Sequence, residues 1–147
     1  MSVKGAILVS LQTVLSGITK DNGYSLDVRK VCLGAQSMSQ ATELCPSIVI
    51  VEGNEIKIAE NATNVMFAAE LSITGILKSF LTGNTLTEDI NSFAAGIKTL
   101  LYSSPPLGAN NLAIRILGID NGTAENFDHA FSSVVVQLIY YAPKASF

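Results

Sequence analysis

The chain has 147 residues, a formal net charge of −3 and only 14% charged residues against 48% hydrophobic ones. Globular chains average about 25% charged residues. The acidic balance and the scattered basic residues, of which only Arg29 and Lys30 are adjacent, argue against binding to nucleic-acid backbone. No run approaches the ~20 apolar residues of a membrane-spanning helix. We therefore expect one domain, residues 1–147, whose apolar excess lies at subunit interfaces.

The first predicted element is an amphipathic helix. Apolar residues recur at helical spacing from Val3 to Ile18. The triplet Asp21-Asn22-Gly23 then supplies the left-handed conformations with which a helix ends. Residues 26–33 follow and predict a first strand.

Three more strands are predicted before the next helix. Pro46 opens the β-branched run of residues 48–51, which is typical of a central strand buried on both faces. Gly53-Asn54 predicts a tight turn into residues 55–60, which alternate like a strand with one solvated face. After a further turn, residues 65–73 repeat with a period of two and predict a long strand.

The second half of the chain predicts one helix and two strands. Thr85 and Glu88 form a capping box, and apolar residues follow at helical spacing. Strands are predicted at residues 112–119 and 131–141, with a turn at Asp120-Asn121-Gly122 between them. The order α-β-β-β-β-α-β-β excludes a doubly wound fold, which alternates strands with helices. It predicts a two-layer α+β fold with a mostly antiparallel sheet of about six strands and two helices packed on it.

No group of residues in the sequence predicts catalysis. His129 is the single histidine, and a pair with Ser132 or Ser133 is a weaker interpretation than a surface or interface histidine. Cys32 and Cys45 lack further ligands at zinc spacing and are predicted to be free thiols. The glycines form neither a dinucleotide-binding motif nor a P-loop. We therefore expect no catalytic residue, no cofactor and no metal, in a protein that is not an enzyme.

Three segments are candidates for contact with other subunits. Residues 34–44 have no hydrophobic period and a small, mostly uncharged composition, which suits a functional loop against another subunit. The predicted loops at residues 103–111 and 120–128 are the others. The candidate assembly residues in these segments are Gly34, Gln36, Met38, Gln40, Leu44, Pro105, Pro106, Asn110, Asn121 and Asn126.

The order and spacing of turns and strands resemble a known family, the lambda-type tail terminator or tail completion proteins of tailed bacteriophages. The residues that carry this resemblance are Asn22-Gly23-Tyr24, Asp27-Val28, Pro46-Ser47-Ile48-Val49-Ile50, Gly53-Asn54-Glu55, Thr87-Glu88-Asp89-Ile90 and Tyr140-Tyr141. The resemblance implies a structural virion protein of the phage tail, assembled in the host cytoplasm. Members of this family form hexameric rings that cap the tail tube, stop its polymerisation and join it to the neck and head.

The resemblance also implies a set of partners. These are copies of the chain itself, the tail tube protein, a neck or connector protein, and a sheath protein if the tail is contractile. DNA would pass through the lumen without specific binding, and no membrane is involved. Two alternatives stay open at this point: another tail or connector subunit, such as a neck, tube-related or baseplate protein, and a cytosolic small-ligand-binding domain.

Overall fold

The computed structural model describes residues 2–34, 37–78, 86–103, 110–123 and 129–145. These residues form one mixed sheet with helices packed on it, which confirms the α+β fold class. The sheet order is β1-β2-β3-β5-β4; β1 pairs parallel with β2, and every other pair is antiparallel. The elements in chain order are α1 (Val3–Leu15), β1 (Lys30–Leu33), α2 (Met38–Glu43), β2 (Ser47–Glu60), β3 (Asn64–Lys78), α3 (Leu86–Ser103), β4 (Asn111–Thr123) and β5 (His129–Pro143).

The described sheet has five strands instead of six because residues 47–60 form one continuous strand. The predicted turn at Gly53-Asn54 is wrong: Glu52 pairs with Leu71 and Glu55 with Ala69, so two residues of β2 oppose one of β3. This is a β-bulge, which bends a strand without ending it. A Cβ on Gly53 would lie 3.3 Å from the backbone oxygen of Glu70, so glycine permits the close approach.

The sheet departs from antiparallel order at its first strand pair. β1 runs parallel to β2, and the segment between them contains α2, where a loop without periodicity was predicted. Parallel neighbours need a crossover connection of about a dozen residues or more, usually through a helix. β1 begins at Lys30 and not at residue 26, so residues 26–29 lead into the strand without pairing as part of it.

Three further predictions concern the ends of elements: two differ from the structure, and the third lies outside the described residues. α1 ends at Leu15, and a 3-10 turn at Lys20–Asn22 precedes Gly23, whose φ of 92° is the left-handed conformation that the sequence predicted there. Residues 120–122 continue β4 and do not form a turn. Thr85 of the proposed capping box lies outside the described residues.

Two helices, α1 and α3, pack on one side of the sheet, which we call the helix face. The core between these two helices and the sheet is apolar. Each fully buried large apolar side chain contributes about 1.5–3 kcal/mol to the stability of the fold. The completely buried members of this core include Leu11, Leu15, Ile48, Leu71, Ile73, Phe93, Ile97 and Leu138. The sheet therefore has one face that is sealed by helices.

The opposite side of the sheet, which we call the open face, is covered by α2 at one end. A small separate cluster of Cys32, Ala41, Cys45, Val49 and Ile76 holds α2 there. Beyond this cluster, no described helix packs on the open face. Among the described residues, most of the open face is therefore left without a covering helix.

Candidate functional site

The described part of the predicted assembly segment, residue 34 and residues 37–44, belongs to the crossover from β1 to β2 and contains α2. Gly34 has a φ of 96° and its amide donates to the Ile50 oxygen at 2.8 Å, which turns the chain away from β1. Gln40 is exposed on α2, while Leu44 is half-buried and its amide donates to the Gln40 oxygen. Gln36 and the side chain of Met38 lie outside the described residues.

A buried polar contact fixes α2 against the strand that follows it. The Ser47 hydroxyl, fully buried, donates to the Ala41 backbone oxygen. The Cys45 thiol faces the same turn, 3.4 Å from the Ala41 oxygen, and its burial raises the pKa of that thiol. Both cysteines are free, as the sequence predicted, and both are buried. The exposed side of α2, including Gln40, is the part of this segment that can meet a partner.

The other predicted assembly residues lie at the far edge of the sheet. Asn110 forms two hydrogen bonds with Tyr141 of β5. The Asn110 side chain donates to the Tyr141 backbone oxygen at 3.0 Å, and the Asn110 backbone oxygen accepts from the Tyr141 amide. The Asn121 side chain donates to the Asn91 side chain at 3.1 Å and so ties β4 to α3. Pro105, Pro106 and Asn126 lie outside the described residues.

The structure therefore separates the predicted assembly residues into two groups. The described residues of the first group, Gly34, Gln40 and Leu44, lie on the β1–β2 side of the sheet, where α2 covers the open face. Asn110 and Asn121 lie on the opposite side, immediately before β4 and within it. Their role in assembly stays a prediction. The sheet order alone puts them on opposite sides of the subunit.

Two long strand edges, which the sequence did not indicate, have no pairing strand among the described residues. β1 covers only the first four residues of β2, so residues 51–60 pair with β3 alone. We call residues 51–60 the arm and their unpaired side the arm edge. Residues 113–121 of β4 pair with β5 on one side only, and we call them the β4 edge. Such edges present backbone N–H and C=O groups to which another strand can bond.

Exposed apolar side chains concentrate on these two edges. Among the described residues, Ile56 (60% exposed) and Ile58 (45%) lie on the arm edge, and Leu117 (53%) and Ile119 (41%) lie on the β4 edge. The other exposed large hydrophobic residues are single positions on three different elements, Val9, Tyr102 and Phe131. Long edges that carry apolar residues are typical of strands that become covered in an assembly.

A polar cluster fixes the arm edge to the body of the subunit. Lys4, in the first turn of α1, lies 2.9 Å from a carboxylate oxygen of Glu52 and 3.3 Å from one of Glu55. The Tyr140 hydroxyl donates to Glu55, and the Phe67 ring stacks on the Tyr140 ring at 5.5 Å. Lys4, Glu55 and the two rings, together with neighbouring residues, line a cavity of about 220 Å³.

The charges of this cluster satisfy one another. Burial alone would lower the pKa of Lys4, but the hydrogen bond and charge of Glu52, with those of Glu55, raise it overall. Burial and then the Glu55 carboxylate raise the pKa of Tyr140. Since each polar group has a partner within the cluster, we interpret it as an anchor that positions the arm and not as a ligand site.

The tip of the arm is fixed in the same way. Glu60 pairs with Lys57 at 2.8 Å and with Lys144 of the chain end that follows β5 at 3.1 Å, and these partners lower the pKa of the carboxyl group. In the connecting turn, the Asn61 side chain accepts from the amides of Thr63 and Asn64. The arm is therefore held at its base and at its tip by contacts with the rest of the subunit.

The histidine–serine pair considered from the sequence is not formed. His129 and Ser133 lie on the open face, but Ser133 is hydrogen-bonded to Thr74 at 2.8 Å. Ser132 points to the helix face and is fully buried. Within the described residues no three His, Cys, Asp or Glu side chains gather as a metal site. None of the described helices is long and apolar enough to cross a membrane.

Comparison with known proteins gives one informative result. No protein-family model matches the chain, and no curated protein matches it. Solved structures do match, 33 chains in all. One is a chain from the virion of a native gene transfer agent (GTA) particle, 14% identical, covering 96% of this chain and 96% of that one with a TM-score of 0.52. At this identity the similarity shows that the two chains share a fold over almost their whole length.

Proposed function

We propose that this chain is a structural subunit of a phage-like virion and acts as a tail terminator. The observation that carries the proposal is the fold shared with a chain of a gene transfer agent virion, with 96% of both chains covered. A match of this extent covers almost the whole of both chains and not one common motif. The resemblance noted in the turns and strands of the sequence supports the same class of particle.

The geometry of the subunit supports assembly into a ring, which we propose to be a hexamer. A closed ring uses head-to-tail contacts, so each copy must offer two different complementary surfaces. The arm edge and the β4 edge are two such surfaces on opposite sides of one sheet. The candidate residues at positions 34–44 and at Asn121 lie on the same two sides.

A terminator needs binding surfaces and no chemistry. In this proposal the ring binds the last ring of tail tube subunits, stops further polymerisation and presents its other side to the neck or connector. A sheath protein would contact it if the tail is contractile. The formal net charge of −3 suits a lumen through which DNA slides without adhering.

The proposal is tested by tail length. Particles produced without this chain should carry tubes of irregular, extended length that fail to join heads, and supplying the chain should restore uniform tails, measured by electron microscopy. Uniform, head-joined tails in its absence would refute the proposal. Polymerisation of the purified chain into long tubes would indicate a tube subunit instead.

The position of the chain in the particle gives an independent measurement. Cross-linking of intact particles followed by mass spectrometry should connect this chain to the tube subunit and to a neck protein. Cross-links confined to baseplate proteins would contradict the terminator and favour another structural role.

A further inference from the structure

We infer that neighbouring copies of this chain join edge to edge, with the β4 edge of one copy pairing antiparallel with the arm edge of the next. The inference rests on the proposed ring and names the surface that closes it. Three observations carry it: the height of the two edges, their strand direction and their exposed side chains.

The two edges lie at the same height across the sheet. Ile56 pairs with Ala68, Ala68 with Ile139, and Ile139 with Ala113, so one row crosses from the arm edge to the β4 edge. A second row joins Glu52 to Ile116 through β3 and β5 in the same way. Copies placed side by side therefore bring residues 113–118 of β4 level with residues 51–56 of the arm edge, whereas residues 119–121 are level with the part of β2 that β1 covers.

The strand directions make this pairing antiparallel. β2 is antiparallel to β3, β3 to β5, and β5 to β4, so β4 runs opposite to β2 within one subunit. Rotation about an axis roughly parallel to the strands preserves these directions. The β4 edge of one copy then meets the arm edge of the next in the antiparallel sense, which is slightly the more stable arrangement.

The side chains at the joint continue an existing apolar row. Ile56, 60% exposed, shares the open face with Ala68, Ile139 and Ala113. Edge pairing places Ile56 of one copy beside Ala113 of the next, where cross-strand neighbours on one face come into contact. The most exposed aliphatic side chain among the described residues is thereby covered without any change within the subunit.

The joint is head-to-tail, because the arm edge and the β4 edge are two unlike edges on opposite sides of the sheet. A joint of two unlike edges propagates around a ring.

Charged substitutions test the joint. Ile56→Lys and Ala113→Glu each place one charge in the apolar row, and the double variant places a lysine beside a glutamate at every joint. Val9→Lys is the matched control, because Val9 is 41% exposed on α1 and lies on neither edge. Sedimentation velocity over a concentration series, with circular dichroism to confirm folding, measures the outcome.

We expect the wild-type chain and Val9→Lys to form the same closed oligomer. Each single edge variant should raise the apparent dissociation constant by about tenfold or more, a change of about 1.4 kcal/mol per joint. The double variant should recover most of the assembly. If Ile56→Lys and Ala113→Glu assemble as well as Val9→Lys, the edge joint is wrong while the ring proposal stands.

A cysteine pair extends the test to a weakly associating wild type. Residues opposed across antiparallel strands have Cα atoms about 4.5–5.5 Å apart, which is within the range that a disulfide spans. The Ile56→Cys/Ala113→Cys double variant should therefore give a ladder of covalent oligomers on mild oxidation, and so should Ile56→Cys/Arg115→Cys if the register differs by two residues. Monomers alone in both variants would overturn the edge joint. Tail length in particles would still decide the terminator function separately.

Discussion

Replacing Gly75 with alanine tests the closest approach of α3 to the sheet. Gly75 lies on the helix face of β3, directly below the Phe93 ring of α3. A Cβ at this position would lie 3.0, 3.1 and 3.2 Å from three carbon atoms of that ring. These distances are shorter than ordinary carbon–carbon contacts of about 3.5–4.0 Å.

The expected cost follows from two opposing effects. Phe93 is 1% exposed within the core, so its ring has little room to move, and overpacking a core of this kind costs about 1–3 kcal/mol. Alanine in place of a strand glycine recovers about 0.5–1 kcal/mol of backbone entropy. The variant should therefore be less stable by about 0.5–2 kcal/mol, which lowers Tm by about 1–8 °C in a domain of this size.

Gly118→Ala provides the matched control for this measurement. Gly118 also lies within a strand, but a Cβ added there meets no heavy atom within 4 Å. It should keep the entropic gain without the clash and be stabilised by up to about 1 kcal/mol. Urea unfolding followed by far-UV circular dichroism, at one low protein concentration for all variants, gives the difference between the two free energies of unfolding.

A second variant tests the assigned cause. Phe93→Leu removes the ring atoms nearest to position 75, so the cost of Gly75→Ala should shrink in that background, with a coupling energy of about 0.5–3 kcal/mol. If Gly75→Ala proves as stable as Gly118→Ala, or if the double-mutant cycle shows no coupling, the close approach of Phe93 does not limit this position.

Three further predictions concern titratable groups. Tyr140→Phe should lower the free energy of unfolding by about 1 kcal/mol at neutral pH, because the hydrogen bond to Glu55 is lost. Since the pKa of Tyr140 is raised above 10.0, this loss of stability should persist below pH 10 and vanish as the pH rises through the folded-state pKa; a loss unchanged in strong alkali would contradict the prediction. The pKa of Glu60, lowered from 4.5 by its lysine partners, should return towards 4.5 in an NMR titration once both lysines are replaced by methionine; the stability from these pairs is present above pH 4.5 and is lost as pH falls below it. Because burial raises the pKa of Cys45, its thiol should resist alkylation at pH 7 in the native chain and react fully in denaturant, whereas equal rates in both conditions would place it at the surface.

Hydrophobic periodicity predicted the elements in which one face is clearly more buried than the other. The helical spacing after residue 86 corresponds to α3, and the period of two after residue 65 corresponds to β3. Tyr140 and Tyr141 behave as alternating strand residues should, with Tyr140 in the core and Tyr141 on the open face. These patterns arise from burial against a single partner layer, which a local window of sequence records.

The predictions failed where the same residues are compatible with two different local structures. An Asn next to a Gly serves a tight turn or a bulge equally well, and pairing with β3 decided for the bulge at Gly53-Asn54. The same applies to residues 120–122, where pairing with β5 keeps the chain extended. α2 was missed because its six residues are too few for a helical period, and from Ser39 to Glu43 only Ala41 is fully buried.

The candidate site was predictable only in part. Composition indicated that apolar surface remains for subunit contacts, and small uncharged residues pointed to positions 34–44. The arm edge and the β4 edge gave no signal, because their residues have the same alternation as paired strands. Whether a strand lies at an edge depends on which strands lie beside it, and that depends on contacts between residues far apart in the chain.

By itself, therefore, the sequence determined that helices would cover one side of a largely antiparallel sheet, because hydrophobic period is a local property of the chain. Only the tertiary structure decided that β1 joins in parallel through a crossover, that Gly75 lies below Phe93, and that β2 and β4 each keep an open edge at matching height. These features depend on strand order and register. Both are fixed by the best burial of the entire core and not by any one segment.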